Sequence, residues 1–231
     1  MKIKYFGHSC FFICSGSGLT IITDPYSKIV KYPLPEDIKA DIVIQSHEHY
    51  DHNAANRIKG SPKIVKGSAG YSAESELNFP EFGRTLTFKS MPVHHDADRG
   101  RIKGINNIFT WILDGINFCF LGDLGYLLSD EEIRMLGKVD VLFIPVGGLS
   151  TLNSEDAKIL TGKILPKAVF PMHYKTPVIE NLNLAEEDLA RFIGKIDYEK
   201  QLDREEVEFD KDSLPGETTV FTFKEHAGGS E

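Results

Sequence analysis

Seven consecutive residues, Ser46-His47-Glu48-His49-Tyr50-Asp51-His52, carry three imidazoles and two carboxylates. They follow directly on the short apolar run Asp41–Gln45. A run of that kind makes a buried strand, and so dense a polar cluster cannot lie inside its sheet without partners. The chain must therefore end a strand here and hold the cluster at a sheet edge. His47 and His49 are two apart, so in an extended turn both can face one point. Asp51 and His52 are expected to open a helix over 51–59 and to face a second point beside the first. Imidazole nitrogen and carboxylate oxygen are the ligands that a borderline divalent cation takes. By chance, H-x-H-x-D-H arises on the order of once in a thousand chains of this make-up. A metal site is therefore favoured over a histidine-rich polar loop.

Further ligands are offered wherever another strand-like run stops. His94-His95-Asp96 follows the run Thr85–Pro92, Gly122-Asp123 ends Asn117–Leu121, and His173 ends Ala168–Met172. Each alone reads as an ordinary polar residue at a strand end. Together, after the 46–52 cluster, they read as the rest of one constellation, placed where α/β proteins build their sites. Neighbours on a strand face opposite ways, so His94 and His95 supply one ligand at most. Asp24, before Pro25, reads equally as a turn cap or as a carboxylate that steadies the ligand loop. His8 is either a pocket residue that contacts substrate or shuttles a proton, or a hydrogen-bonded hairpin residue. His226 is given no role.

Around these residues the pattern is α/β. Strands are expected at Lys2–Phe6, Cys10–Cys14, Leu19–Thr23, Pro62–Val65 and Ile108–Leu113, besides those already named. Ser15-Gly16-Ser17-Gly18 and Asp114-Gly115 read as hairpin turns. Helices are expected over Asp130–Leu136, with Ser129 and Glu132 placed for a capping box, and over Asn153–Leu165 and Leu184–Ile196. Val139–Met172 is a β-α-β unit. With 231 residues, 41% of them hydrophobic, one domain over 1–223 is expected, with 224–231 as a mobile tail.

Composition narrows the function. The net charge of −8 disfavours general nucleic-acid binding. Cys10, Cys14 and Cys119 are too few and too ill-spaced for a disulfide framework and read as small buried hydrophobes. Gly7 and His8 interrupt the first apolar run, so a mature N-terminus is expected rather than a signal peptide. No run reaches about 18 apolar residues, so no membrane span is expected. A cytoplasmic protein fits best. No Walker loop, dinucleotide fingerprint or G-x-S-x-G element is present.

The order H-x-H-x-D-H, distant His, Gly-Asp, then His after an apolar strand resembles the metallo-β-lactamase superfamily. Gly7-His8-Ser9-Cys10, Thr23-Asp24-Pro25, Pro145-Val146-Gly147-Gly148 and Pro171-Met172-His173-Tyr174 are similar to its ascorbate-6-phosphate-lactonase-like branch. The resemblance covers about residues 2–176 and implies a four-layer αββα sandwich with a metal site at one edge. It also implies two divalent metal ions, with zinc the first choice and manganese, iron or nickel fitting the same ligands. Carried over by position, His47, His49 and His95 would bind one ion. Asp51, His52 and His173 would bind the other, and Asp123 would bridge them. Asp96 favours His95 over His94, because in relatives the ligand precedes an acidic residue. Relatives with di-iron redox chemistry carry a carboxylate where His49 stands, which argues for hydrolysis.

The function expected is hydrolysis of an ester-like bond, in a lactone or phosphodiester, in a small anionic substrate. Asp51 and His8 are the candidate catalytic groups. Arg101, Lys103, Tyr174 and Lys175 are candidates for holding the substrate. Two alternatives remain at this point: a nuclease or RNA-processing enzyme on the same fold, and a metal-binding regulator without catalysis. A homo-oligomer is compatible with the sequence, and 179–217 offers few landmarks.

Overall fold

The computed structural model describes residues 1–68 and 70–224. Residues 225–231 of the expected tail lie outside that range. The chain first lays down β1 (Lys2–Tyr5), β2 (Phe11–Cys14), β3 (Thr20–Thr23), β4 (Ile42–Gln45) and β5 (Lys63–Lys66). It then crosses to β6 (Ala73–Phe79), β7 (Arg84–His94), β8 (Ile105–Leu113), β9 (Ile116–Phe120), β10 (Val141–Pro145), β11 (Ala168–Met172) and β12 (Glu199–Arg204). The short β13 (Val207–Glu208) returns to the first group, and β14 (Thr219–Phe223) closes the second. The strand order is β13-β1-β2-β3-β4-β5 in one sheet and β12-β14-β11-β10-β9-β8-β7-β6 in the other. Both are mixed. β3, β4 and β5 run parallel after an antiparallel start, and β9, β10, β11 and β14 run parallel beside an antiparallel meander.

The sheets pack face to face through alternating inward residues. Ile21, Ile42 and Ile44 point into the main core with Phe11, Phe143 and Phe170, whereas Ile22 and Val43 point to the other side. Ring centroids of Phe11 and Phe143 lie 4.5 Å apart, and those of Phe143 and Phe170 lie 5.3 Å apart. β10 and β11 are buried along their whole length, as strands covered on both faces are. Their connection, α2 (Ser154–Ile164), is capped by the Asn153 side chain. The neighbouring α1 (Asp130–Leu136) carries the expected capping box of Ser129 and Glu132. Among the described residues the third α-helix, α3 (Leu189–Lys195), is shorter than the run Leu184–Ile196 because Asp188 caps it.

The expected helix over 51–59 does not form. Residues 46–54 are drawn into a turn around the site, and only a single 3-10 turn, Ala55–Arg57, follows. The outer face of the first sheet is instead covered by 3-10 turns and loops, whose Tyr26, Val30, Tyr32, Ile58 and Ile179 close over Ile22 and Val43. The αββα sandwich is therefore thin on that side. Among the described residues no helix is long and apolar enough to cross a membrane.

Asp140 stitches the strands at the end away from the site. Its Oδ2 accepts from the Asn117 backbone N–H at 2.9 Å, its Oδ1 lies 3.0 Å from Lys138 Nζ, and its carbonyl accepts from Lys167 and Ala168. Burial opposes its charge, but Asn117 and Lys138 together hold the carboxyl below the usual range. A folded-state value below the unfolded one gives stability that is complete above the ordinary carboxylate range and is lost as the pH falls through the folded value. Asp140→Ala should cost about 1–3 kcal/mol near neutral pH. The gap in melting temperature to wild type should narrow near pH 3, and a gap independent of pH would contradict this assignment.

Candidate metal centre

The site lies where strands from both sheets end. The turn after β4 supplies His47, His49, Asp51 and His52, the turn after β3 supplies Asp24, and the β1–β2 hairpin supplies His8. From the second sheet come His95 just past β7, Asp123 past β9 and His173 past β11. His8, Asp24 and His173 have positive φ of 57°, 35° and 53° and are essentially inaccessible to solvent. Left-handed backbone at a non-glycine residue costs about 1–3 kcal/mol, so the surrounding contacts must hold these three in place.

The side chains fall into two main groups, and Asp24, His47 and His52 form a third that overlaps both. Ligand atoms of His47, His49 and His95 lie within 4.8 Å of one another, and so do those of His8, Asp51, His52 and His173. Asp123 stands between the groups. Its Oδ2 is 3.3 Å from His95 Nε2 and 3.9 Å from His47 Nε2 on one side, and 3.2 Å from His52 Nε2 and 3.0 Å from His173 Nε2 on the other.

Three of the rings, those of His47, His52 and His95, are oriented from behind. Asp24 Oδ2 accepts from His52 Nδ1 at 2.8 Å, and its carboxylate also takes the Ser46 N–H and Oγ–H. Ser46 Oγ in turn lies 2.8 Å from His47 Nδ1. The Ser150 carbonyl accepts from His95 Nδ1 at 3.2 Å. In all three rings Nε2 is left to face the centre, the arrangement in which an outer partner fixes the tautomer of a metal-binding imidazole. Five polar atoms there are buried without a hydrogen-bond partner: Nδ1 of His8 and His173, Nε2 of His47 and His52, and Oδ1 of Asp123. Buried polar atoms are ordinarily paired, and a donor set of nitrogens and carboxylate oxygens fits a divalent cation.

The electrostatics agree with that fit. Burial, with His52 and the other imidazoles beside it, pushes His47 well below the usual imidazole range. His8 is brought down to about 4 by burial and by His173. Burial would raise Asp123 and Asp51, yet the adjacent histidines hold both below the usual carboxylate range. His52 goes the other way, because Asp123 and Asp51 outweigh its burial and favour a positive charge. A cation held by these residues would take the place of the proton on His52.

A cavity of about 460 Å³ opens onto the centre, with Tyr50, Lys103, Ser150, Leu182, Asn183 and Leu184 in its walls. Of the four residues expected to hold substrate, Lys103 alone belongs to that lining. Arg101 is turned to solvent beside Asp98 at 3.5 Å, Lys175 is exposed, and Tyr174 is buried in the core, its ring centroid 6.2 Å from that of Tyr5. His8 does not reach the cavity, since its Nε2 is engaged with Asp51 Oδ2 at 3.0 Å. His94 turns away from the centre and lies against Tyr126, ring centroids 5.3 Å apart. Ser150 and the Leu182–Leu184 wall were not foreseen in the sequence. The only signal was a pair of leucines flanking an asparagine at the start of the expected helix Leu184–Ile196.

The sequence profile described as the β-lactamase superfamily domain matches residues 2–173. This chain belongs to the metallo-β-lactamase superfamily. A UPF0173 metal-dependent hydrolase of Listeria innocua is 29% identical over 221 residues, covering 85% of this chain and 93% of its own. One of Methanoculleus marisnigri is 30% identical over 199 residues, covering 80% and 86%. A crystal structure from Thermotoga maritima, of a proposed Zn-dependent hydrolase of the superfamily, matches with a TM-score of 0.72 at 29% identity, covering 96% of this chain and 99% of that one. The superfamily member described here is a metal-dependent hydrolase.

Proposed function

We propose that this superfamily member holds two divalent metal ions and hydrolyses an ester-like bond, in a lactone or phosphodiester, of a small anionic molecule. The observation that carries the proposal is the pair of ligand groups with the Asp123 carboxylate between them. His47, His49 and His95 would hold one ion, Asp51, His52 and His173 the other, and Asp123 both. When bound, the ions supply Lewis-acid polarisation of the scissile bond and a lower pKa for an attacking water. Zinc suits the histidine-rich set, and manganese, iron or nickel would accept the same donors.

The protein's own residues do the rest. Asp51, fixed by His8, would orient the attacking water as well as bind metal. His8 is therefore a positioning group rather than a shuttle in contact with substrate. Asp24, Ser46 and the Ser150 carbonyl hold the imidazoles, so little reorganisation is needed when charge develops. Lys103 offers a cationic point for a phosphate or carboxylate at the cavity wall, and Leu182 and Leu184 offer an apolar one. A lactone substrate would agree with the similarity to the ascorbate-6-phosphate-lactonase-like branch. The buried, unpaired Cys10 and Cys119 suit a reducing compartment, and a cytoplasmic location is part of the proposal.

Elemental analysis of the purified chain should find about two divalent ions per molecule. A panel of lactones, phosphodiesters and β-lactams, assayed with several metals, should show turnover on anionic members of the first two classes. One ion per chain would remove the dinuclear part of the proposal. A fully loaded protein inert on the whole panel would favour a regulator.

A further inference from the structure

β8 opens with two neighbouring amides, Asn106 and Asn107, both buried. The ladder between β8 and β9 runs only to Phe109 opposite Phe120. Beyond that point the chain peels off toward Asp123, and backbone groups lose their strand partners. The two amides take them over. Asn106 Nδ2 donates to the Leu121 carbonyl at 2.8 Å, and its Oδ1 accepts from the Asp123 N–H at 3.0 Å. Asn107 reaches across to the other sheet, where its backbone N–H and its Nδ2 both donate to the Ser46 carbonyl, at 3.0 and 3.2 Å.

Two glycines make room for this. Gly122 has φ of +53°, and a Cβ there would lie 2.3 Å from Asn106 Oδ1 and 2.7 Å from Ser46 Cβ. At Gly67 a Cβ would fall 2.0 Å from Asn107 Cγ. So the loop bearing Asp123, the turn bearing His47 and the loop after β5 all touch the same two side chains. The side-chain hydrogen bonds of this pair run to Asp123 itself, to Leu121 two residues before it, and to Ser46, whose hydroxyl lies against His47 Nδ1.

We propose that Asn106 and Asn107 are positioning residues that fix the separation of Asp123 from His47 across the seam between the sheets, and thereby set metal affinity. The inference rests on the metal reading above. It differs from a merely structural role, in which the amides would only satisfy backbone groups and support global stability.

The test uses full-length chains carrying Asn106→Ala, Asn107→Ala and, as a control remote from the site, Asp140→Ala. Zinc affinity is measured by competition with a chelator, and thermal stability on metal-free protein. Both asparagine variants should bind zinc at least about tenfold more weakly, whereas the control should melt lower with zinc affinity unchanged. Wild-type zinc affinity in variants that merely melt lower would overturn the proposal. Should Asn106→Ala not fold, Asn107→Ala keeps the main-chain bond to Ser46 and decides alone. Hydrogen exchange on the metal-free chains gives a readout that does not need metal. Residues 46–52 and 121–124 should open faster in the asparagine variants than in the control. Unchanged exchange there overturns the bracket. Absence of zinc uptake by wild type together with faster exchange in the variants would instead leave the bracket standing and remove the metal reading.

Discussion

Asp123→Ala should strip metal from both halves of the site and lower hydrolysis by more than the 10–100-fold, roughly, that loss of an outer partner costs. The expectation comes from one atom. Asp123 Oδ2 lies 3.0 Å from His173 Nε2 and 3.3 Å from His95 Nε2, so the carboxylate is the contact common to both ligand groups. Removing it would take away the contact common to both groups and a buried negative charge beside four histidines, His47, His52, His95 and His173. Metal content and turnover should fall together. A variant that keeps both ions would show that the carboxylate is not shared. Because the residue is buried, its folding must be checked by circular dichroism, so that loss of metal is not mistaken for loss of fold.

The second large effect separates two adjacent residues. His95→Ala should abolish hydrolysis and reduce metal content, since its Nδ1 is engaged with the Ser150 carbonyl and its Nε2 lies 3.1 Å from His49 Nδ1. His94→Ala should leave metal content intact and change turnover only a few-fold, because His94 packs on Tyr126 outside the ligand groups. Strand alternation is the physical cause of the contrast. Full metal content in His95→Ala with loss in His94→Ala would exchange the two roles.

The sequence already led one to expect that His94 and His95 face different ways, and much of the scaffold was legible in it. The β-α-β unit around α2, the capping box of α1 and the Asp114-Gly115 turn, with φ of 51° and 76°, all rest on local rules that short stretches obey. What escaped has little local signal. β12 is exposed at every position, so burial imposes no alternation on Glu199–Arg204. β6 alternates half-buried residues with Glu74, Glu76 and Asn78, a pattern too polar to announce a strand. The turn at 51–54 was read as helical because an acidic residue opens it, but tertiary contacts claimed those residues. In the site, the histidines and Asp123 were readable because their residue types are costly anywhere else. The Ser150 carbonyl is backbone chemistry, which no side-chain code records. Asn106 and Asn107 did leave a trace, two amides at the head of the apolar run Ile108–Leu113, but only the folded chain shows what they hold.

The seam between the sheets also governs when the site can exist. The group of His8, Asp51, His52 and His173 draws on the first hairpin and on the end of β11, almost the full length of the matched domain. His49 and His95, 46 residues apart, also come from opposite sheets. Contacts so distant along the chain form late, after the entropy of closing long loops has been met. A half-made protein emerging from the ribosome would display the 46–52 turn without its counterparts, a weak chelate at best. A chain stalled before β11 would lack His173, and with it one of the two ligand groups would be incomplete.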